Sequence, residues 1–178
     1  MTQMTLDNAA DGTIRRTPSG GYEIVFVRRL KRPIEKVWAA LTVPERIADW
    51  LTGEMRFIPD LRLGARVELR FPDDDPPYEM TTGEVVAFDP PRLFAWSWPD
   101  RDHPDCVVRC ELEPDADGCV LTFSQRATST NHLIGSSAGW QVFLDGLEGA
   151  SDGIRTVASI EREMALRPAY AAQLAALA

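Results

Sequence analysis

The chain has 178 residues, of which 44% are hydrophobic and 26% are charged, values typical of one globular domain with its own hydrophobic core. Its 27 acidic side chains outnumber 19 basic ones, and the net charge of −8 argues against a nucleic-acid partner. The first dozen residues lack the apolar stretch of a signal peptide, and no apolar run approaches the roughly 20 residues that a membrane span needs. We therefore expect a cytoplasmic protein with no membrane partner.

Two strands are predicted first, at 13–16 and 22–31, after a start at 1–12 that we expect to be disordered. The turn-forming sequence Pro-Ser-Gly-Gly separates the two strands. Apolar side chains alternate along the second strand, which indicates a strand with one better-buried face.

Two short helices are predicted next, because Pro44 would break a single helix over 32–50. Pro33 is tolerated at the first helical position, since that backbone nitrogen has no partner within the helix. The first helix carries one apolar stripe at helical spacing: Ile34, Val37, Trp38 and Leu41. Thr42 is the expected N-cap of the second helix, which would begin near Pro44 and end at Gly53. That helix would bury four side chains: Val43, Ile47, Trp50 and Leu51.

Hairpin patterns fill the middle of the chain, with strands predicted at 54–59, 65–71, 78–88, 92–98, 106–113 and 119–126. The acidic run 73–75 is interpreted as a solvated loop, because it lacks the glycine and closing glutamate of a calcium loop. Phe94, Trp96 and Trp98 lie on one side of their strand. Exposing three large aromatic side chains would create a large apolar patch, so we expect them to face inward.

The three cysteines, Cys106, Cys110 and Cys119, are interpreted as small buried hydrophobic residues. If the strands that contain them pair as a hairpin, all three fall on the same face as other apolar side chains. The ligand spacing of a zinc site is absent, and the histidines, His103 and His132, stand apart from any Cys/His repeat. Neither a metal nor another cofactor is therefore indicated.

The C-terminal part of the chain changes from strand to helical spacing. A polar loop is predicted at 128–137, and a helical segment follows at about 138–178. Its first stripe is expected to face the sheet: Trp140, Phe143, Leu144 and Leu147. Gly153 predicts a break and Pro168 an interruption. Helical spacing resumes between them at Val157, Ile160 and Met164.

This order of elements indicates an α+β fold, in which a helix lies on the concave face of a curved antiparallel sheet. A single helix cannot fill a strongly curved sheet, so we expect a cavity between the two. No repeat, long linker or internal boundary is visible, and residues 13–178 are interpreted as one domain.

Several motifs point to a known superfamily. Residues 32–42 read RPIEKVWAALT, and further motifs lie at 44–51, 83–93, 96–98 and 139–140. Together they resemble the START-like (SRPBCC) helix-grip superfamily, and within it the branch related to the activator of the heat-shock-protein-90 ATPase. The resemblance implies a sheet of about seven strands that grips a C-terminal helix, with two short helices after the first strand. It also implies a cavity that often holds an apolar small molecule, and no shared catalytic residue.

The candidate ligand-binding residues are those expected to line this cavity: Trp50, Phe57, Glu84, Phe94, Trp96, Trp98, Phe123, Trp140 and Leu144. A tryptophan N–H that is buried without a protein partner is a natural donor to a ligand. Glu84 could act as an acid or base if it faced inward, and the alternative is that it faces solvent or pairs with an arginine.

The favoured function is binding of an apolar or aromatic small molecule, and no catalytic residue is assigned. One alternative is a pocket enzyme of the cyclase, hydrolase or isomerase type that relies on positioning and on one acid or base such as Glu84. Another is a protein-interaction module that uses the outer sheet or the tail from Val157, with a chaperone partner by analogy with the eukaryotic relative. The Ala-rich tail also leaves a homodimer open.

Overall fold

The computed structural model describes residues 10–51, 53–70, 81–99 and 104–177. The predicted acidic loop at 73–75, the start of the strand predicted at 78–88, and His103 lie outside the described residues. The strands within them are β1 (Thr13–Arg16), β2 (Tyr22–Leu30), β3 (Glu54–Ile58), β4 (Arg66–Arg70), β5 (Thr81–Asp89), β6 (Leu93–Ser97), β7 (Val107–Asp115) and β8 (Gly118–Ala127). The helices are α1 (Ile34–Thr42), α2 (Pro44–Ile47), α3 (Leu133–Ser151) and α4 (Ile160–Ala175). Among the described residues, no helix is long and apolar enough to span a membrane.

The strands form one antiparallel sheet in the order β1-β2-β8-β7-β6-β5-β4-β3. Among the described residues the sheet has 8 strands, one more than the resemblance implied, because the short β1 pairs with β2 at one edge. Both β1 and β3 are edge strands, so the sheet is open. The α+β class and the helix-grip arrangement are confirmed, with α3 packed against the inner face.

The core lies between the inner face of the sheet and α3. The strand register aligns Phe26 with Phe123, Phe123 with Cys110, and Cys110 with Phe94, so these side chains form a row across four strands. All four are at most 1% exposed. All three cysteines are buried and none of them forms a disulfide bond, which confirms their interpretation as small buried hydrophobic residues.

The two short helices follow the prediction in position but differ in detail at their junction. Val43 has extended backbone angles (φ −89°, ψ 119°), as expected for a residue that precedes a proline, and it occupies the N-cap position of α2. Its side chain is therefore 39% exposed and not buried as predicted. The hydroxyl of Thr42 donates to the carbonyl of Trp38 (2.7 Å) and does not cap α2. The helix α2 ends at Ile47, well before the predicted end at Gly53.

The start of α3 lies inside the segment predicted as a polar loop. Leu133 is 1% exposed and anchors the first turn, and the hydroxyl of Ser137 donates to its carbonyl (2.7 Å). A serine that bonds to the carbonyl four residues earlier satisfies its own hydroxyl inside a helix. The polar composition of the segment 128–137 therefore did not prevent five of its residues from joining the helix.

The C-terminal segment is two helices, because the chain breaks at Gly153 as predicted and α4 begins at Ile160. The predicted interruption at Pro168 is wrong, since α4 runs through it. Leu166 and Tyr170 are both 0% exposed on either side of the proline, and this burial holds the helix together. The second predicted stripe faces solvent, with exposed fractions of 55–79% at Val157, Ile160 and Met164.

Helix α4 is tied to the edge strand β1 by hydrogen bonds. The backbone nitrogen of Gly12 donates to the hydroxyl of Tyr170 (3.1 Å), and that of Ile14 donates to Oε1 of Gln173 (2.9 Å). Gly12 and Asp11, which the sequence assigned to a disordered start, are thus held in place, since the nitrogen of Asp11 donates to Gln141 (3.3 Å). These contacts occupy donors of an edge strand that would otherwise be open to another chain.

Candidate functional site

An aromatic surface lies on the inner face of β6. Phe94 and Trp96 are 0% and 3% exposed, which confirms that they face inward. Their rings stack with centroids 4.9 Å apart and planes 26° from parallel. Phe57 of β3 is half-buried and meets Phe94 edge-on at 5.7 Å. Both geometries are ones that aromatic pairs favour, so this surface is well packed.

A second aromatic group surrounds Trp140, which α3 presents to the sheet. The Trp140 ring lies 4.5 Å from that of Phe123 on β8 and 5.7 Å from that of Trp98, which it meets edge-on. Phe143, one turn along α3, lies 5.9 Å from Trp140. Trp98 and Phe143 are half-buried, whereas Phe123 and Trp140 are buried. Aromatic contacts therefore run from partly exposed rings into the interior.

Gln125 holds the indole ring of Trp140 and was missed by the sequence reasoning. Its Oε1 accepts from Nε1 of Trp140 (2.6 Å), and its Nε2 donates to Sγ of Cys106 (3.2 Å). The alternation of inward residues along β8, extended two positions past Phe123, reaches Gln125 and could have identified it. A glutamine in an apolar row is satisfied when both ends of its amide have partners, as here.

Trp96 differs from the other buried tryptophans in its indole nitrogen. Nε1 of Trp96 is buried, and it has no hydrogen-bond partner among the described residues. By contrast, Nε1 of Trp140 donates to Gln125, and Nε1 of Trp50 donates to the carbonyl of Ala40 (2.9 Å). An unpaired buried donor is destabilising by about 1–3 kcal/mol, so an acceptor that bonded to Nε1 of Trp96 would remove this penalty.

Trp50 and Leu144 are buried, with exposed fractions of 2% each. The hydrogen bond from Trp50 to Ala40 joins the segment after α2 to α1. It is a structural contact within the pair of short helices α1 and α2, here called the two-helix wedge. Leu144 belongs to the buried face of α3 together with Leu147. Both residues support the core next to the aromatic surfaces, and their part in a binding site stays a prediction.

Glu84 is the predicted site residue that the structure places elsewhere. It is exposed on β5, while the next residue, Val85, is 0% exposed on the inner face. Because successive side chains of a strand point to opposite faces, an inward Val85 directs Glu84 outward. The inward orientation that an acid–base role required is therefore wrong, and Glu84 is not part of the aromatic site.

A separate cluster of charged groups surrounds Arg28 on β2. Arg28 occupies an inward position on β2 and pairs with Asp145 (3.0 Å) and Asp11 (2.8 Å), while its guanidinium lies 5.9 Å from the Phe26 ring. Burial raises the pKa of Asp11 despite the opposing attraction of Arg28. Burial likewise raises the pKa of the Cys110 thiol, which keeps that thiol protonated.

The chemistry of the aromatic site follows from its members. Its described side chains offer ring faces, apolar surface and one unpaired N–H, and they include no carboxylate and no cation. Such a set can bind and orient a molecule, but it contains no group for proton transfer. The candidate cavity residues that the structure brings together are Phe57, Phe94 and Trp96 in one group and Trp98, Phe123 and Trp140 in the other.

Comparisons with solved structures agree with this architecture. CalU16 from Micromonospora echinospora is 27% identical, with a TM-score of 0.72 over 92% of this chain and 96% of its own. Protein MLL2253 from Mesorhizobium loti is 27% identical, with a TM-score of 0.63 over 73% of this chain and 96% of its own. The conserved protein of unknown function EF2215 from Enterococcus faecalis shares the fold at 16% identity, with a TM-score of 0.76 over 96% of this chain and 94% of its own. The comparison with curated proteins found no match.

A family model covers the two-helix wedge, most of the sheet and all of α3. The model is described as "Activator of Hsp90 ATPase homolog 1-like protein" and matches residues 31–152. Helix α4 lies beyond the matched segment, whereas the alignment with CalU16 extends over nearly the whole chain. The resemblance inferred from the sequence motifs is thus confirmed, and the chain belongs to the family of activator of Hsp90 ATPase homolog 1-like proteins.

Proposed function

We propose that this protein binds an apolar or aromatic small molecule between the sheet and α3. The observation that carries the proposal is the run of ring contacts from half-buried Trp98 and Phe143 through Trp140 to buried Phe123. Ligand sites are lined mainly by apolar and aromatic side chains with a few placed polar groups, and these residues fit that description. The fold of the START-like superfamily supports the same proposal.

Two features favour binding over catalysis. The enzyme alternative needed one inward acid or base, and Glu84, the residue named for that role, is exposed on β5. The described aromatic residues supply contact area, and the unpaired Nε1 of Trp96 supplies one directional group.

A thermal-shift screen against hydrophobic aromatic molecules tests the proposal. A ligand present at 100 times its Kd stabilises the folded state by about 2.7 kcal/mol. For a domain of this size that corresponds to a rise in Tm of roughly 5–10 °C. The Kd of any molecule that stabilises the protein is then measured by quenching of tryptophan fluorescence.

A matched pair of variants locates the binding site. Trp98 and Trp38 are both half-buried tryptophans, but Trp98 contacts Trp140 whereas Trp38 packs on Phe88 (5.8 Å). We expect Trp98→Ala to weaken binding about tenfold or more, and Trp38→Ala to leave the Kd within about twofold. The proposal fails if no molecule in the screen stabilises the protein, or if the two variants bind equally well.

A further inference from the structure

We infer that the ligand is electrically neutral and carries a hydrogen-bond acceptor, such as a ketone, ester or quinone oxygen, that pairs with Nε1 of Trp96. The inference rests on the proposed function and specifies the chemical class of the ligand. It is carried by the contrast between Trp96, whose buried N–H has no partner among the described residues, and Trp140 and Trp50, whose N–H groups are satisfied.

The protein offers Trp96 no acceptor from within its own row of the sheet. The strand register aligns Trp96 with Val85 on one side and with Val108 on the other, and Val108 with Gln125. The valines have no polar side-chain atom. Gln125 lies two strands away, about 10 Å at the usual strand spacing, and its amide is already bonded to Trp140 and Cys106.

A water molecule is a poor substitute for this acceptor. A buried water is held by two to four polar partners. The side chains aligned with Trp96 are Val85 and Val108, and Phe94 stacks on its ring. A water at this position would accept one good hydrogen bond from Nε1 of Trp96 and would lose the other hydrogen bonds that it makes in bulk water. An acceptor atom attached to an apolar molecule avoids this loss and therefore fits better.

The charge of the ligand follows from the same surroundings. One N–H cannot stabilise a carboxylate that is taken out of water, because a buried charge needs a counter-charge or several donors. The side chains aligned with Trp96, Val85 and Val108, carry no charge, and neither does Phe94, which stacks on its ring. The inward guanidinium of Arg28 is engaged by Asp11 and Asp145. A neutral acceptor avoids this penalty.

The inference is tested with three naphthalene probes of similar size that differ in one group: 2-acetylnaphthalene, 2-ethylnaphthalene and 2-naphthoate. For the wild-type chain we expect the Kd of 2-acetylnaphthalene to be about tenfold lower than that of 2-ethylnaphthalene, and that of 2-naphthoate to be higher than both. Trp96→Phe should remove the preference for acetyl over ethyl. Trp140→Phe, in which the lost N–H was already satisfied, should keep the preference while it changes both Kd values.

Nuclear magnetic resonance gives a readout that does not depend on a variant's stability. The five tryptophans give five indole N–H signals, and the Trp96 signal is assigned in the wild-type chain. It should move downfield on addition of 2-acetylnaphthalene and not on addition of 2-ethylnaphthalene, because only the ketone accepts its hydrogen.

The outcomes separate the inference from the proposed function. Equal Kd values for the acetyl and ethyl probes, or tightest binding of 2-naphthoate, would overturn the inference and leave apolar binding intact. A preference that persists in Trp96→Phe would also overturn it. If none of the probes binds and the thermal-shift screen yields no ligand, the proposed function fails and the inference fails with it.

Discussion

The hydroxyl of Tyr170 is one of the groups that attach α4 to the rest of the fold, and Tyr170→Phe removes it. Tyr170 is 0% exposed. Its hydroxyl accepts from the backbone nitrogen of Gly12 (3.1 Å) and donates to Oε1 of Gln141. Phenylalanine keeps the ring and its packing, so the substitution isolates the two hydrogen bonds.

The expected loss of stability can be estimated from the two hydrogen-bond partners of the Tyr170 hydroxyl, the backbone nitrogen of Gly12 and Oε1 of Gln141. Gly12 is buried, so its N–H is left unsatisfied, at a penalty of about 1–3 kcal/mol. Oε1 of Gln141 still accepts from the nitrogen of Asp11 (3.3 Å), so its loss is limited to about 1 kcal/mol. Together the free energy of unfolding should fall by about 2–4 kcal/mol, and Tm by roughly 4–16 °C.

Urea unfolding followed by circular dichroism measures this change, and Tyr22→Phe is the control. Tyr22 is half-buried and its hydroxyl has no hydrogen bond among the described residues, so the control should change stability by less than about 0.5 kcal/mol. Hydrogen exchange should show the Gly12 amide losing protection in Tyr170→Phe alone. A loss below about 0.5 kcal/mol with unchanged protection would refute the reasoning, since it would mean that Gly12 finds another acceptor.

Two further predictions each compare a pair of variants. The pKa of Asp11 is raised by burial, so stability falls as the pH rises from the pKa of Asp11 in the unfolded chain to its pKa in the folded protein. The pKa of Asp152 is lowered by hydrogen bonds from Arg32 and Lys36, so the stability that Asp152 contributes is present at neutral pH and is lost on acidification. Urea midpoints are measured from pH 3 to 7. As the pH rises, Asp11→Asn should gain stability relative to wild type and Asp152→Asn should lose stability relative to wild type. Midpoints of the two variants that change with pH in parallel with the wild type would contradict this. A Cβ at Gly83 would lie 1.8 Å from the carbonyl oxygen of Ser97, whereas one at Gly139 in α3 has nothing within 4 Å. Thermal melts should show Gly83→Ala destabilised by about 3 kcal/mol or more and Gly139→Ala stabilised by up to about 1 kcal/mol, and an unchanged Tm for Gly83→Ala would show that β5 and β6 can separate there at little energetic penalty.

Local signals predicted most of the elements. Pro33 before an apolar stripe located α1, because the proline and the helical period are properties of neighbouring residues. Alternation located β2, β6, β7 and β8 to within a few residues. The alternation also assigned Phe94 and Trp96 to one face, and the need to bury large rings assigned that face to the interior.

The predictions that failed depended on contacts between distant segments. Pro168 breaks an isolated helix, yet α4 continues because Leu166 and Tyr170 are buried on either side of it. The Tyr170 hydroxyl also bonds to Gly12 and to Gln141 of α3. The stripe of Val157, Ile160 and Met164 has helical spacing, but all three residues are exposed, and Val157 lies before α4 begins. Spacing gives a residue its face on the helix, and only the docking of α4 decides which face is covered.

The sequence by itself determined the family, the order of the elements and the aromatic face of β6, because short motifs and period-two alternation record local backbone geometry. Only the tertiary structure decided which buried polar groups have partners: Gln125 bonds to Trp140, and Nε1 of Trp96 is left without an acceptor among the described residues. Hydrogen bonds between strands and helices depend on register and on side-chain direction, and neither can be read along a single strand. The aromatic residues of the candidate site could therefore be predicted from the sequence, whereas its one unpaired hydrogen-bond donor was found only in the tertiary structure.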